Sequence, residues 1–204
     1  MHRRFSSRNE TGFTLIEVTV AISLLLVVAL AAGAFAVNAL KLGAQQQRMQ
    51  VAVTVAGERM EQVQRLTASN AQITTLVAGR GATAVTTSFA ANAAVQGVAQ
   101  TYELAGTAGV QTIPITQTVT RSGSDYTSTV LIGSCYQPKA GGACTKRSGK
   151  ATDALAAATA AADGYTQLVR VIVTVTYTGS CAGGCRYTTA TLFDTKGDPT
   201  WQSE

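Results

Sequence analysis

The sequence predicts an α+β fold, in which a long N-terminal helix packs by its second half on an antiparallel four-stranded sheet. Three observations predict it. No charged residue occurs from Val18 to Leu40. Apolar residues then recur at helical spacing as far as Leu66, with no proline among them. Beyond residue 110, β-branched residues alternate with Thr and Ser in runs bounded by Gly, Ser and Asp. On this reading the 204 residues divide into a short basic segment (1–12), an apolar helix (13–40), its amphipathic continuation (41–66) and a globular head (67–204).

Composition sets the outer bounds. With 46% hydrophobic and 13% charged residues, the chain lacks the charge of a disordered protein. Its one histidine is His2. Residues 3–204 therefore supply no partner for a Ser-His-Asp triad, a Cys-His pair or an HExxH zinc site. No phosphate-binding loop and no convincing carboxylate pair compensates, so an enzyme is not expected.

The first forty residues are the most informative. Arg3, Arg4 and Arg8 stand against the single acid Glu10, and the apolar run follows at once. About 20 apolar residues cross a bilayer as a helix, and a positive flank predicts a cytoplasmic N-terminus. The competing reading is a secretory signal peptide cut near Ala31–Ala34. The apolar run is too long for that. Glu17 is the anomaly, because a carboxylate inside an apolar segment is costly unless it has a partner.

The string Gly12-Phe13-Thr14-Leu15-Ile16-Glu17 resembles the processing site of type IV prepilins and type II secretion pseudopilins. The resemblance implies a pilin-like fold and cleavage between Gly12 and Phe13 by a prepilin peptidase. It also implies N-methylation of Phe13, and neutralisation by Glu17 of the N-terminal amine of a neighbouring subunit during assembly. Opposite charges interact strongly in a low-dielectric bundle, provided each desolvated group is paired. Many relatives carry a helix-breaking proline midway along this segment. Here the first proline is Pro114, and Gly33 is the expected soft point.

The helix is expected to continue to Leu66, roughly 80 Å in all at 1.5 Å per residue. Met49, Val53, Ala56, Met60 and Val63 fall on one face. Arg48, Glu58, Arg59, Glu61, Gln62 and Arg65 fall largely elsewhere, and Glu61 and Arg65 form a favourable i,i+4 pair. Residues 67–110, rich in Ala, Thr, Gly, Gln and Asn, read as a surface loop with short strands or turns. Four strands follow. Thr112–Thr120 and Tyr126–Tyr136 form a hairpin across Arg-Ser-Gly-Ser-Asp. Gln167–Thr178 places Val169, Val171, Val173, Val175 and Tyr177 on one face, and Arg186–Asp194 returns beside it with Leu192 and Phe193 anchoring its end. The alanine-rich Lys150–Gly164 between the hairpins suits a short helix or a loop.

Four cysteines allow three pairings. Cys135–Cys144 and Cys181–Cys185 is the favoured one, the second closing a hairpin tip across Ala-Gly-Gly. Export to an oxidising compartment supports disulfides, and the spacing does not match two CxxC zinc half-sites. Major pseudopilins often hold calcium in a C-terminal loop. The run Phe193–Pro199 holds two acids, Asp194 and Asp198, short of the six to eight oxygens that calcium takes, so no metal or cofactor is expected. Lys139, Lys146, Arg147 and Lys150 form a basic cluster in which no aromatic residue interleaves. DNA backbone is a conceivable partner for it, and a solvated loop is the favoured reading.

The Glu58–Leu66 helix segment, with a Val-Thr-Val-Thr strand returning to Thr-Thr-Ala-Thr-Leu-Phe, resembles PilV-type minor pilins. That implies a structural minor subunit of a type IV pilus, with other pilin subunits and the pilus assembly platform as partners. Its location would be the cytoplasmic membrane, head outside, before assembly, and the pilus or cell surface afterwards. The alternatives are a type II secretion pseudopilin and a signal-anchored surface binding protein.

Overall fold

A computed structural model describes residues 14–68, 73–147, 164–181 and 183–194. By internal packing the chain divides into two compact units, Met1–Gln46 and Gln47–Glu204. Helix α1, Leu15–Ala68, contributes to both and continues through Gly33, Gly43 and Gly57 without interruption. With no proline to remove a hydrogen bond, the isolated glycines are tolerated within the helix.

Among the described residues the head follows α1 with two helices, α2 (Ile73–Leu76) and α3 (Ala82–Ala91), and a 3₁₀ turn at Val98–Gln100. Five strands complete it: β1 (Tyr102–Glu103), β2 (Thr116–Arg121), β3 (Ser124–Pro138), β4 (Tyr165–Tyr177) and β5 (Cys185–Asp194). All pairings are antiparallel, in the order β1-β3-β4-β5, with β2 also on β3. The β2–β3 hairpin closes at Arg121↔Ser124 through Ser122 (φ 51°) and Gly123 (φ 73°). Two positive φ values in a two-residue loop match the twist of the strands, and Gly supplies one without strain.

The fold is thus the pilin-like α+β arrangement, a long N-terminal helix on an antiparallel sheet. One core lies between α1 and the sheet, where Ala52, Val55, Ala56 and Val63 meet Val130, Ile132, Val171 and Val173. The opposite sheet face, carrying Leu131 and Ile172, is covered by Val85 and Phe89 of α3 with Val95, Val98 and Ile115.

Several elements differ from the sequence expectation. Residues 67–110 hold α2, α3 and the short β1 rather than strands and turns alone. In α3 only Val85 and Phe89, an i,i+4 pair, are buried, so the amphipathic signal is two residues wide. The buried face of α1 is rotated: Met49 (51% exposed) and Val53 (41%) face outward, while Ala52 and Val55 face the sheet. Alanine at positions 52 and 56 allows the large residues of the sheet to approach the helix. Arg59, expected outside, is buried. Strand β2 begins at Thr116 rather than Thr112, preceded by Pro114, which has no N–H to donate to a ladder. At the end of β5, Phe193 packs on the core while Leu192 remains 41% exposed.

Candidate functional site

The N-terminal site is built from the first turn of α1. Thr14 precedes the helix, and its Oγ1 accepts the Glu17 N–H at 3.3 Å. Its carbonyl accepts from Glu17 N at 3.0 Å and Val18 N at 3.2 Å. Thr14-x-x-Glu17 is the sequence pattern of a capping box, in which a Thr hydroxyl satisfies an otherwise orphaned helix donor. The Glu17 carboxylate also sits at the positive end of the helix dipole. It is exposed, and none of the described residues pairs with it. Gly12 and Phe13 lie outside the described residues.

The helix beyond this point is exposed through Gln50. Leu15 is 83% exposed, Leu25 72% and Phe35 76%, on every side of the helix. The hydroxyls of its apolar part are satisfied within the helix: Thr19 donates to Ile16 O at 2.9 Å and Ser23 to Thr19 O at 2.8 Å. A helix that is apolar all round and internally satisfied is suited to an apolar environment. This segment is long and apolar enough to cross a membrane.

In the head the cysteines form two bonds, Cys135–Cys144 (Cα–Cα 5.4 Å) and Cys181–Cys185 (Cα–Cα 5.1 Å). The second lies at the β4–β5 tip, beside the Tyr177↔Cys185 pair. The basic residues of the Cys144 loop are not free of aromatic rings. Lys146 Nζ lies 4.7 Å from the Tyr102 ring centroid, and Arg147 lies 4.0 Å from that of Tyr165. These rings come from β1 and β4, so proximity along the chain does not reveal them. Lys139 N donates to Gly164 O, and Lys150 lies outside the described residues. Asp194 closes β5 opposite Leu168, and Asp198 lies outside the described residues. Among the described residues no three His, Cys, Asp or Glu side chains cluster to hold a metal.

Two buried arginines escape the sequence reading. Arg59 donates to Gln62 Oε1 (2.5 Å), Gln117 Oε1 (2.8 Å) and Pro114 O (2.7 Å). Arg80, 2% exposed, donates to Val130 O. Burial, and then the nearby charge of Arg59, push the Arg80 guanidinium down to about 10. Its Nε and Nη1 have no hydrogen-bond partner among the described residues. The available signal is local: Arg80 stands between Gly79 and Gly81, and a Cβ on Gly79 would collide with the Val110 carbonyl.

Residues 7–33 match a protein-family model described as "Prokaryotic N-terminal methylation motif". No curated protein and no solved structure gives a significant match to the chain. The chain therefore bears a prepilin-type N-terminal cleavage and methylation motif, consistent with the broader type IV pilin-like family. The motif implies processing by a prepilin peptidase-like enzyme. Fold and motif together describe a pilin-like structural subunit, consistent with a non-enzymatic role.

Proposed function

We propose that this protein is a minor subunit of a type IV pilus, of the PilV type. It is made with residues 1–12 as a leader and held in the cytoplasmic membrane by the apolar half of α1, with its head outside. A prepilin peptidase cuts between Gly12 and Phe13 and the new N-terminus is methylated. The subunit then joins other pilins on the assembly platform. The observation that carries this reading is that the methylation motif at 7–33 runs directly into a helix capped by Thr14 and apolar on all sides.

The chemistry follows from the position of Glu17. Cleavage leaves a positive amine on Phe13, one helical turn from the carboxylate. Within a bundle of apolar helices neither charge is tolerated alone, so a neighbour's amine is the partner that relieves both. Repetition of such a head-to-tail contact along an axis gives an open helical polymer. The disulfides Cys135–Cys144 and Cys181–Cys185 suit a head exported to an oxidising compartment.

Mass spectrometry of the mature protein is expected to find N-methylated Phe13 as its first residue. An intact leader, or a terminus near Ala34, would overturn the proposal. Glu17→Ala is expected to be processed and to remain in the membrane fraction yet fail to enter sheared filaments. Normal incorporation of that variant would remove the charge pairing from the account.

A further inference from the structure

Among the described residues, the cover over the outer sheet face stops short of β5. Along this face lie Arg186, Thr188, Ala190 and Leu192 of β5, with Arg170 of β4 opposite Leu192. Between them and the segment Ala94–Gly97 lies a groove of about 500 Å³. Gln96, Gln100, Arg170, Arg186 and Thr188 supply its polar side chains, while Thr189, opposite Val173, turns its side chain to the other sheet face. Among the described residues the lining includes two guanidinium groups and no carboxylate.

Arg170 is held in place before any ligand arrives. Its Nη1 donates to Gly97 O at 3.1 Å and its Nη2 to Cys144 O at 2.7 Å. Gly97 has φ 88°, and a Cβ there would lie 3.2 Å from Arg170 Nη1, so glycine permits the loop to close over the side chain. The Cys135–Cys144 bond ties the loop that bears the second carbonyl. Both acceptors are neutral, and among the described residues no acid pairs with Arg170. Burial lowers its pKa without removing the charge. Arg186 is exposed and has no ion-pair partner among the described residues.

We infer that this groove binds an acidic saccharide, with Arg170 and Arg186 holding its carboxylate or sulfate groups and Gln96, Gln100 and Thr188 meeting its hydroxyls. Planar guanidinium groups bind such oxyanions through paired N–H donors. Amide and hydroxyl side chains both donate and accept, as sugar hydroxyls require. A single-stranded nucleic acid is the less suitable polyanion, because no aromatic ring lines the groove to stack a base. The arrangement lies wholly within the head, so binding does not depend on filament assembly.

The test uses the full chain in detergent micelles, with fluorescently labelled hexasaccharides that are uronate-rich, sulfated or neutral. The acidic sugars are expected to bind, and the neutral one at least about tenfold more weakly, the loss of one charge-assisted contact. Arg186→Gln, at an exposed position that leaves packing intact, is expected to lose about tenfold in affinity for the acidic sugars. Lys139→Gln, outside the groove, is expected to leave it unchanged. Equal binding of the neutral sugar, or an unaffected Arg186→Gln variant, overturns the inference. Competition by inorganic sulfate at the same anion concentration reduces the site to a simple oxyanion site. Tighter binding of labelled DNA oligonucleotides assigns it to a different polymer, and either result defeats the saccharide claim.

Discussion

The apolar half of α1 and the head solve opposite problems. In the first, apolar surface has nothing to cover it: Leu24, Leu25, Val27 and Val28 are each more than half exposed. Its side-chain hydroxyls, however, are bonded within the helix. In the head the apolar groups are covered, with Val130, Ile132, Val171 and Val173 at 0% exposure. There, among the described residues, it is polar groups that lack partners, at Arg59 Nε and at Arg80 Nε and Nη1. A contiguous exposed apolar surface of this extent marks an interface with lipid or protein. A region whose polar groups are closed and whose apolar groups are open is built to be buried by something else. A region with the reverse pattern makes its own interior.

The sharpest test of that division removes packing from the head alone. Ile132→Ala is expected to cost about 2–5 kcal/mol, as a large-to-small change at a fully buried position. Chemical denaturation of the full chain in detergent, followed by head fluorescence, measures it. The membrane-associated fraction should not change. A parallel loss of membrane association would mean that the two regions are not energetically separate.

The complementary substitution lies in the other region. Val28→Arg places a charge near the middle of the Val18–Leu40 stretch, where insertion scales put the cost at about 2.5–3.5 kcal/mol. Carbonate extraction is expected to release the variant from membranes, while its head keeps the wild-type denaturation midpoint. Retention in the membrane would show that this half of the helix is not what anchors the chain.

The same contrast explains what could be read without coordinates. The apolar helix needed only composition and length, since a segment that is uniformly apolar has no face to misassign. The alternation in Val169–Tyr177 is equally local, and it appears in the structure. The amphipathic half of α1 was harder. Ala52 and Ala56 define its buried face, and alanine carries too little hydrophobic contrast to outweigh Met49 and Val53. Helix α3 and the rings beneath Lys146 and Arg147 depend on contacts between segments distant in sequence, which periodicity does not encode. The groove at Arg170 has the same origin, because Gly97, Cys144 and Arg170 meet only once the sheet has formed.

The smallest expected effect concerns the head's own weak point. Arg80 is charged and almost wholly buried, and its pKa is lowered to about 10 from the ordinary arginine value. Desolvation is the main cause and Arg59 the second. The unfolded chain therefore holds this proton more tightly than the folded one. The resulting penalty is complete below pH 10 and shrinks as the pH rises above it towards the ordinary arginine pKa. Methionine has similar length and no charge to desolvate. Replacement of buried charges by apolar residues of matching volume is often neutral or stabilising. Arg80→Met is accordingly expected to raise stability by on the order of 1 kcal/mol. Its difference from the native chain should stay constant between about pH 6 and pH 9, where Arg80 is charged in both states. Denaturant midpoints across that range provide the measurement. A marked loss of stability would show that the bond to Val130 O outweighs the desolvation of the guanidinium, and that the head, like the apolar helix, has its polar groups adequately satisfied.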